Sequence, residues 1–176
     1  MDTRVWSLAQ IAERTGAKRR AIQLWADGGV LLSTAQTDRG GTGVHRQFES
    51  REVRIAALLA PLAEMGVPIG VLRSIGNVLR GAYSFVRTTG GSKDFSKTME
   101  QLGPEIKEAL DRADSGVGSN YLLLAHFQGD LWTHVATDAL GPVVINPAVD
   151  FANANLPKTA AIIILDLTKI LGSLLV

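Results

Sequence analysis

Between Ser7 and Asp27 the chain can hold two short amphipathic helices and little else, because apolar residues recur at helical spacing on either side of a glycine. Ser7 can accept a bond from a free first-turn amide, and Gln10 three residues on completes a capping box, so a helix is expected to start here. Leu8, Ile11 and Ala12 share one face of it, and Gly16 suits the left-handed residue that ends such a helix. A second helix is expected from about Ala17 to Ala26. On it Ala21, Ile22, Trp25 and Ala26 fall on one side, while Arg19, Arg20 and Gln23 fall on the other. One side packs and the other is free. Guanidinium forks match the two acceptors of a guanine edge and a glutamine amide can pair with adenine, so these residue types suit a major groove. On an isolated helix such a face is more often solvated charge.

The order of parts that follows favours the groove. Asp27-Gly28-Gly29-Val30-Leu31-Leu32 ends the helix and returns the chain to the core, and Ser33 to Phe48, rich in Thr, Gly and Arg, reads as a hairpin wing. Arg39, His45 and Arg46 are its candidate phosphate contacts, which position a protein on DNA without reading sequence. The whole stretch from Val5 to Phe48 is thus expected to be a winged helix-turn-helix.

Over roughly the first 75 positions the chain resembles the MerR family of transcription regulators. The segments that carry the likeness are WSLAQIAERTG for a first helix, AKRRAIQLW for a recognition helix, GGVLL for the turn, GVHRQF for the wing and SREVRIAALLAPLAEMGVPIGVLRSI for two closing helices. The resemblance implies a recognition helix in the major groove, a wing on the backbone and a dimer holding two half-sites. It also implies that Arg19, Arg20, Gln23, Trp25, Arg46 and Phe48 contact DNA or anchor the wing, with Lys18 beside them. The chain departs from the family where an Arg and two aromatics usually stand, here Gln23-Leu24-Trp25, and Pro61 is expected to kink the third helix.

The overall charge of +1 hides an asymmetry: residues 1–90 hold 12 Lys or Arg against 7 Asp or Glu, net +5, and residues 91–176 hold 6 against 10, net −4. A basic half that meets nucleic acid and an acidic half with another task are expected. Three parts follow: residues 1–86 as the DNA-binding domain, 87–118 as a linker and helical segment able to dimerise, and 119–176 as a small C-terminal α/β domain, an α+β chain as a whole. With no cysteine, disulfides, thiolate metal sites and thiol sensing are excluded. No apolar secretory core or membrane-length run is present, so a cytoplasmic protein is expected.

Ser50 is expected to cap a helix whose stripe is Ile55, Leu58, Leu59, Leu62 and Met65. Pro68 opens the next, along which Leu72, Ile75, Leu79, Ala82 and Val86 form a heptad-like seam, a candidate dimer interface. Arg87 to Lys93 reads as a linker, followed by a helix carrying Phe95, Met99, Leu102, Ile106 and Leu110 and broken at Gly103-Pro104. After a second linker-like stretch, Ser115 to Ser119, a hairpin runs from Tyr121 to Gln128 and Leu131 to Asp138 about Gly129-Asp130, which sets Phe127 opposite Trp132. His126 and His134 then fall on opposite faces, against a histidine metal pair. Both faces are apolar, so the sheet is covered on both sides or lines a pocket or interface, with Tyr121, Phe127 and Trp132 as candidate effector or interface residues. A third strand at Pro142 to Asn146, a strand at Ala160 to Leu167 and an apolar helix from Thr168 to Val176 complete the chain.

No catalytic constellation, metal site or cofactor is expected. A dimeric, sequence-specific regulator of transcription is the expected function, with double-stranded DNA and a second copy as partners, RNA polymerase as a further candidate and a small-molecule effector left open. An excisionase-like factor that bends DNA, or an interaction scaffold acting through the acidic half, are the alternatives.

Overall fold

The computed structural model describes residues 4–38, 45–84, 93–127, 130–138 and 162–175. Among these are seven α-helices and two small antiparallel sheets, an α+β chain that divides into two compact units, Met1–Arg80 and Gly81–Val176.

The first unit runs β1 (Val5–Ser7), α1 (Leu8–Thr15), α2 (Arg19–Asp27), α3 (Ala35–Asp38), β2 (Gln47–Glu49), α4 (Ser50–Glu64) and α5 (Ile69–Tyr83), which carries the chain into the second. The capping box forms: Ser7 Oγ accepts from the Gln10 amide at 3.3 Å and Gln10 Oε1 accepts from the Ser7 amide at 2.9 Å. Gly16 ends α1 at φ +70°, a conformation in which a side chain is strained. Ile11, Ile22, Trp25, Leu31, Phe48, Ile55, Leu58, Leu59 and Leu62 make the core of this unit. β1 and β2 pair with Trp6 opposite Phe48, and Trp6 Nε1 donates to Ser50 Oγ at 3.1 Å. The Arg4 and Arg14 guanidinium groups each lie 5.6 Å from the Trp6 ring centre.

Several expectations are corrected here. Ser50 does not cap α4; Glu49 holds that position without a side-chain bond to the helix amides, and Ser50 is occupied with Trp6 and the Arg4 carbonyl. Pro61, where a kink is expected, lies inside α4, and the helix continues past it to Glu64. Met65 leaves the core stripe: α4 ends at Glu64, and Met65 is 67% exposed. The segment from Ser33 is no plain hairpin, since it holds the one-turn helix α3 and the strand that follows pairs with β1. Its two ends nevertheless meet, the Thr34 amide donating to the Gln47 carbonyl at 2.7 Å and the Gln47 amide to Thr37 Oγ1 at 3.0 Å. Leu72, Ile75, Leu79 and Ala82 are buried within a single chain, so this seam is not a free face for a second copy; Val86 lies outside the described residues. Gly76, which weakens an isolated helix, sits at a close approach: a Cβ there would stand 3.1 Å from the Val30 carbonyl.

The second unit holds α6 (Lys93–Asp114), β3 (Asn120–Phe127), β4 (Asp130–Thr137), β5 (Ile162–Asp166) and α7 (Leu167–Gly172), ending in a 3₁₀ turn, Ser173–Leu175. The sheet order is β4-β3-β5, antiparallel throughout. α6 and α7 pack on each other and on β3, with Ile106, Leu110, Leu167 and Leu171 buried. β3 is the apolar centre: Leu122 and Leu124 are buried on one face, Leu123 and Ala125 on the other, where Tyr121, Ala136 and Ile162 pack against them.

α6 runs unbroken through Gly103-Pro104, with Pro104 on the exposed side. The hairpin pairs Phe127 with Asp130 and Ala125 with Trp132, a register two residues from the expected one. Since side chains alternate with period two, a shift of two leaves each residue on its expected face. Tyr121, Phe127 and Trp132 therefore share a face by register, and His126 and His134 stand on opposite ones. The side chains of Phe95, Met99, Leu102, His126, Phe127 and Trp132 lie outside the described residues, as do residues 87–92 and Pro142 to Asn146.

The stretch Ser115 to Ser119 is a fixed turn. Asn120, fully buried, donates from Nδ2 to the Val117 carbonyl at 2.9 Å and to Thr168 Oγ1 at 3.0 Å. Its Oδ1 accepts from Arg112 Nε at 3.1 Å and Thr137 Oγ1 at 3.0 Å, which satisfies the buried amide completely. Asp138 accepts from Arg112 Nη2 at 2.7 Å and from the Ser119 amide at 2.8 Å.

Candidate nucleic-acid interface

The nine residues of α2 split cleanly by burial. Ile22 and Trp25 point into the core, which fixes the helix about its axis, and the opposite arc presents Arg19, Arg20, Gln23, Leu24 and Asp27 to solvent. Lys18 holds the N-cap position with no side-chain cap bond, so three successive cations, Lys18, Arg19 and Arg20, crowd the end of the helix where free amides already point outward. None of the three forms an ion pair among the described residues. A positive helix end disfavours cations, so the arrangement is unfavourable alone and favourable against an anion.

The far end of α2 is held by a buried ion pair that periodicity gives no sign of. Glu52 on α4, 1% exposed, receives Arg80 Nε and Nη2 from α5 at 2.8 and 3.0 Å. Glu52 Oε2 also accepts from the Leu32 amide at 3.0 Å, and Arg80 Nη2 donates to the Val30 carbonyl at 2.9 Å. The turn after α2 is thereby pinned from both sides by one fork. Neither residue is distinguishable in sequence from solvated charge, and the missed signal is their separation of 28 positions, beyond any local pattern.

Of the expected site residues, Lys18, Arg19, Arg20 and Gln23 are brought onto one exposed surface. Trp25 is a correction: 4% exposed, it belongs to the core and offers no surface to a ligand, because an indole one turn from Ile22 is worth more buried than wet. Phe48 is fully buried and so offers no surface to a ligand. His45 is exposed, and Arg46 is engaged with Asp27, the last residue of α2. Arg39 lies outside the described residues. Two residues that the pattern did not single out join the surface: Leu24, 51% exposed, and Arg73 of α5, whose Nε would lie 3.9 Å from a Cβ on Gly29.

In the second unit, an open groove along α6 is lined by Pro104, Lys107, Glu108, Asp111, Arg112, Ser115 and Val117. Lys107 and Asp111 pair along the helix and Arg112 is committed to Asn120 and Asp138, so the groove is solvated charge. Among the described residues no cluster of three His, Asp or Glu could hold a metal ion, and no helix is long and apolar enough to cross a membrane.

No protein-family model matches the chain, and no curated protein matches it.

Proposed function

We propose that the first unit is a winged helix-turn-helix of the MerR kind and that the protein is a sequence-specific DNA-binding regulator of transcription acting as a homodimer on an inverted repeat. The observation that carries this reading is the α2 surface: exposed Lys18, Arg19 and Arg20 without ionic partners among the described residues, followed one turn later by Gln23, on a helix locked in place by Ile22 and Trp25. Arg20 and Gln23 are the readers in this scheme, with Leu24 placed to meet a thymine methyl group. Lys18, Arg19 and Arg73 grip phosphates.

Salt titration of binding to a mixed-sequence duplex tests it. Wild-type affinity should fall steeply as salt rises, and Lys18→Ala with Arg19→Ala should make the logarithmic slope shallower by roughly two. A folded protein that shows no salt-dependent binding contradicts the reading. An architectural role predicts the same slope without sequence preference, which site selection distinguishes.

A further inference from the structure

Asp27 stands where an acidic side chain is least comfortable. It is the last residue of α2, at the helix end whose free carbonyls already carry partial negative charge, and it is the one acidic residue of that helix. It also lies on the arc shared with Arg19 and Gln23, so a duplex docked on that arc brings phosphates toward it. Helix stability does not account for an aspartate here.

Its contact does. Arg46, immediately before β2, donates from Nη1 to Asp27 Oδ1, and the two side chains are 33% and 51% exposed. The two residues are 19 positions apart, so the pair ties the entry of β2 to the end of α2. An ion pair so open to water is weak and exchanges readily. A carboxylate and a phosphate present similar paired oxygens to a guanidinium, so one can replace the other at Arg46.

Building on the DNA-binding reading above, we propose that Asp27 is a built-in stand-in for a DNA phosphate: it holds Arg46 in the free protein, gives it up to the backbone when a duplex docks, and then faces that backbone as a repelling charge. Asp27 thus lowers affinity for every sequence. A penalty common to all sequences leaves their affinity ratios unchanged, but it drops the weakest sites below the affinity at which they fill. Arg46 adds little net affinity while Asp27 is present, because each phosphate contact it gains is offset by a pair it loses.

The test is a double-mutant cycle on the full chain, using a labelled mixed-sequence duplex of about 30 base pairs titrated at several salt concentrations. Asp27→Asn should bind roughly three- to tenfold more tightly at low salt, with a slope steeper by about one. Arg46→Ala should weaken the wild type by less than about threefold yet remove most of the gain in the Asp27→Asn background, leaving only the part that comes from relief of repulsion by the backbone. Asp27 is exposed, so thermal melting of each variant should stay close to wild type, which separates these effects from misfolding. Additive effects, an Asp27→Asn protein that binds no more tightly, or a changed base preference at unchanged affinity would overturn the proposal; the last would mean that Asp27 accepts from a cytosine amino group instead. Binding by none of the four proteins brings down the DNA reading as well, whereas binding indifferent to Asp27 brings down this proposal alone.

Discussion

The Arg80 guanidinium meets the Glu52 carboxylate side-on, Nε to Oε1 at 2.8 Å and Nη2 to Oε2 at 3.0 Å, with 11% and 2% of the two side chains exposed. This contact joins α5 to α4 and, through the Leu32 amide and the Val30 carbonyl, fixes the turn that leaves α2. Stability and site geometry therefore meet in one pair. Glu52→Ala should destabilise the first unit by about 3 kcal/mol, because it strands a buried cation and an unpaired amide. Denaturant unfolding followed by tryptophan fluorescence in a Trp132→Phe background measures this, since Trp6, Trp25 and the pair lie in that unit and Trp132 lies in the second. A Glu52→Leu and Arg80→Met double variant should recover most of the loss, as an apolar pair leaves no charge buried. A double variant as unstable as Glu52→Ala would mean that the pair's bonds to the turn, and not its charge balance, matter most.

Trp25 separates the fold from the interface. Trp25→Ala should cost about 3–5 kcal/mol by opening a cavity beside Ile22, while within the proposed reading any protein that remains folded keeps its base preference. Full stability with altered base preference would place Trp25 back among the reading residues.

The turn into β3 offers an internal comparison. Gly118 sits at φ +69°, and a Cβ there would run into the Asp138 carboxylate and the Arg112 guanidinium; Gly116 sits at φ +66° with nothing within 4 Å of a Cβ. Both alanine variants incur the left-handed cost of about 1–2 kcal/mol, and Gly118→Ala should add a further loss by breaking the Arg112–Asp138–Asn120 network. Thermal melting of the two should rank Gly118→Ala clearly lower. Equal melting temperatures would show that the network yields without cost.

What the sequence made legible was local. The Ser7–Gln10 box, the Gly16 stop and the two-sided character of α2 depend on residues within one or two turns of each other, and each stands as expected. Longer-range relations were not readable. The hairpin register differs by two from the expected one, and the faces are unchanged because two is the period of a strand. Pro104 reads as a break, yet α6 continues through it, because a proline on the wet side of a helix removes one bond and little else. Glu52 with Arg80 and Asp27 with Arg46 were invisible because an ion pair is a property of folded distance. The candidate surface is thus legible on α2 itself, while the ion pairs at its far end are not.

Within the proposed reading, arginines on successive residues have different tasks. Arg20→Ala should relax preference at one base position, at a cost of about 1–3 kcal/mol on the best site, and Lys18→Ala should weaken all sequences about equally. Competition binding against a panel of single-base variants distinguishes the two. Parallel losses across the panel for both would mean that Arg20 grips and does not read.

Selection of bound sites from random duplexes, followed by footprinting on the most enriched one, tests the central claim most directly. The account predicts an inverted repeat whose half-sites are separated by whole helical turns, protected symmetrically, with enrichment lost in an Arg20→Ala, Gln23→Ala protein that still folds. Recovery of no motif, with binding that only fades as salt rises, would contradict sequence-specific reading by α2.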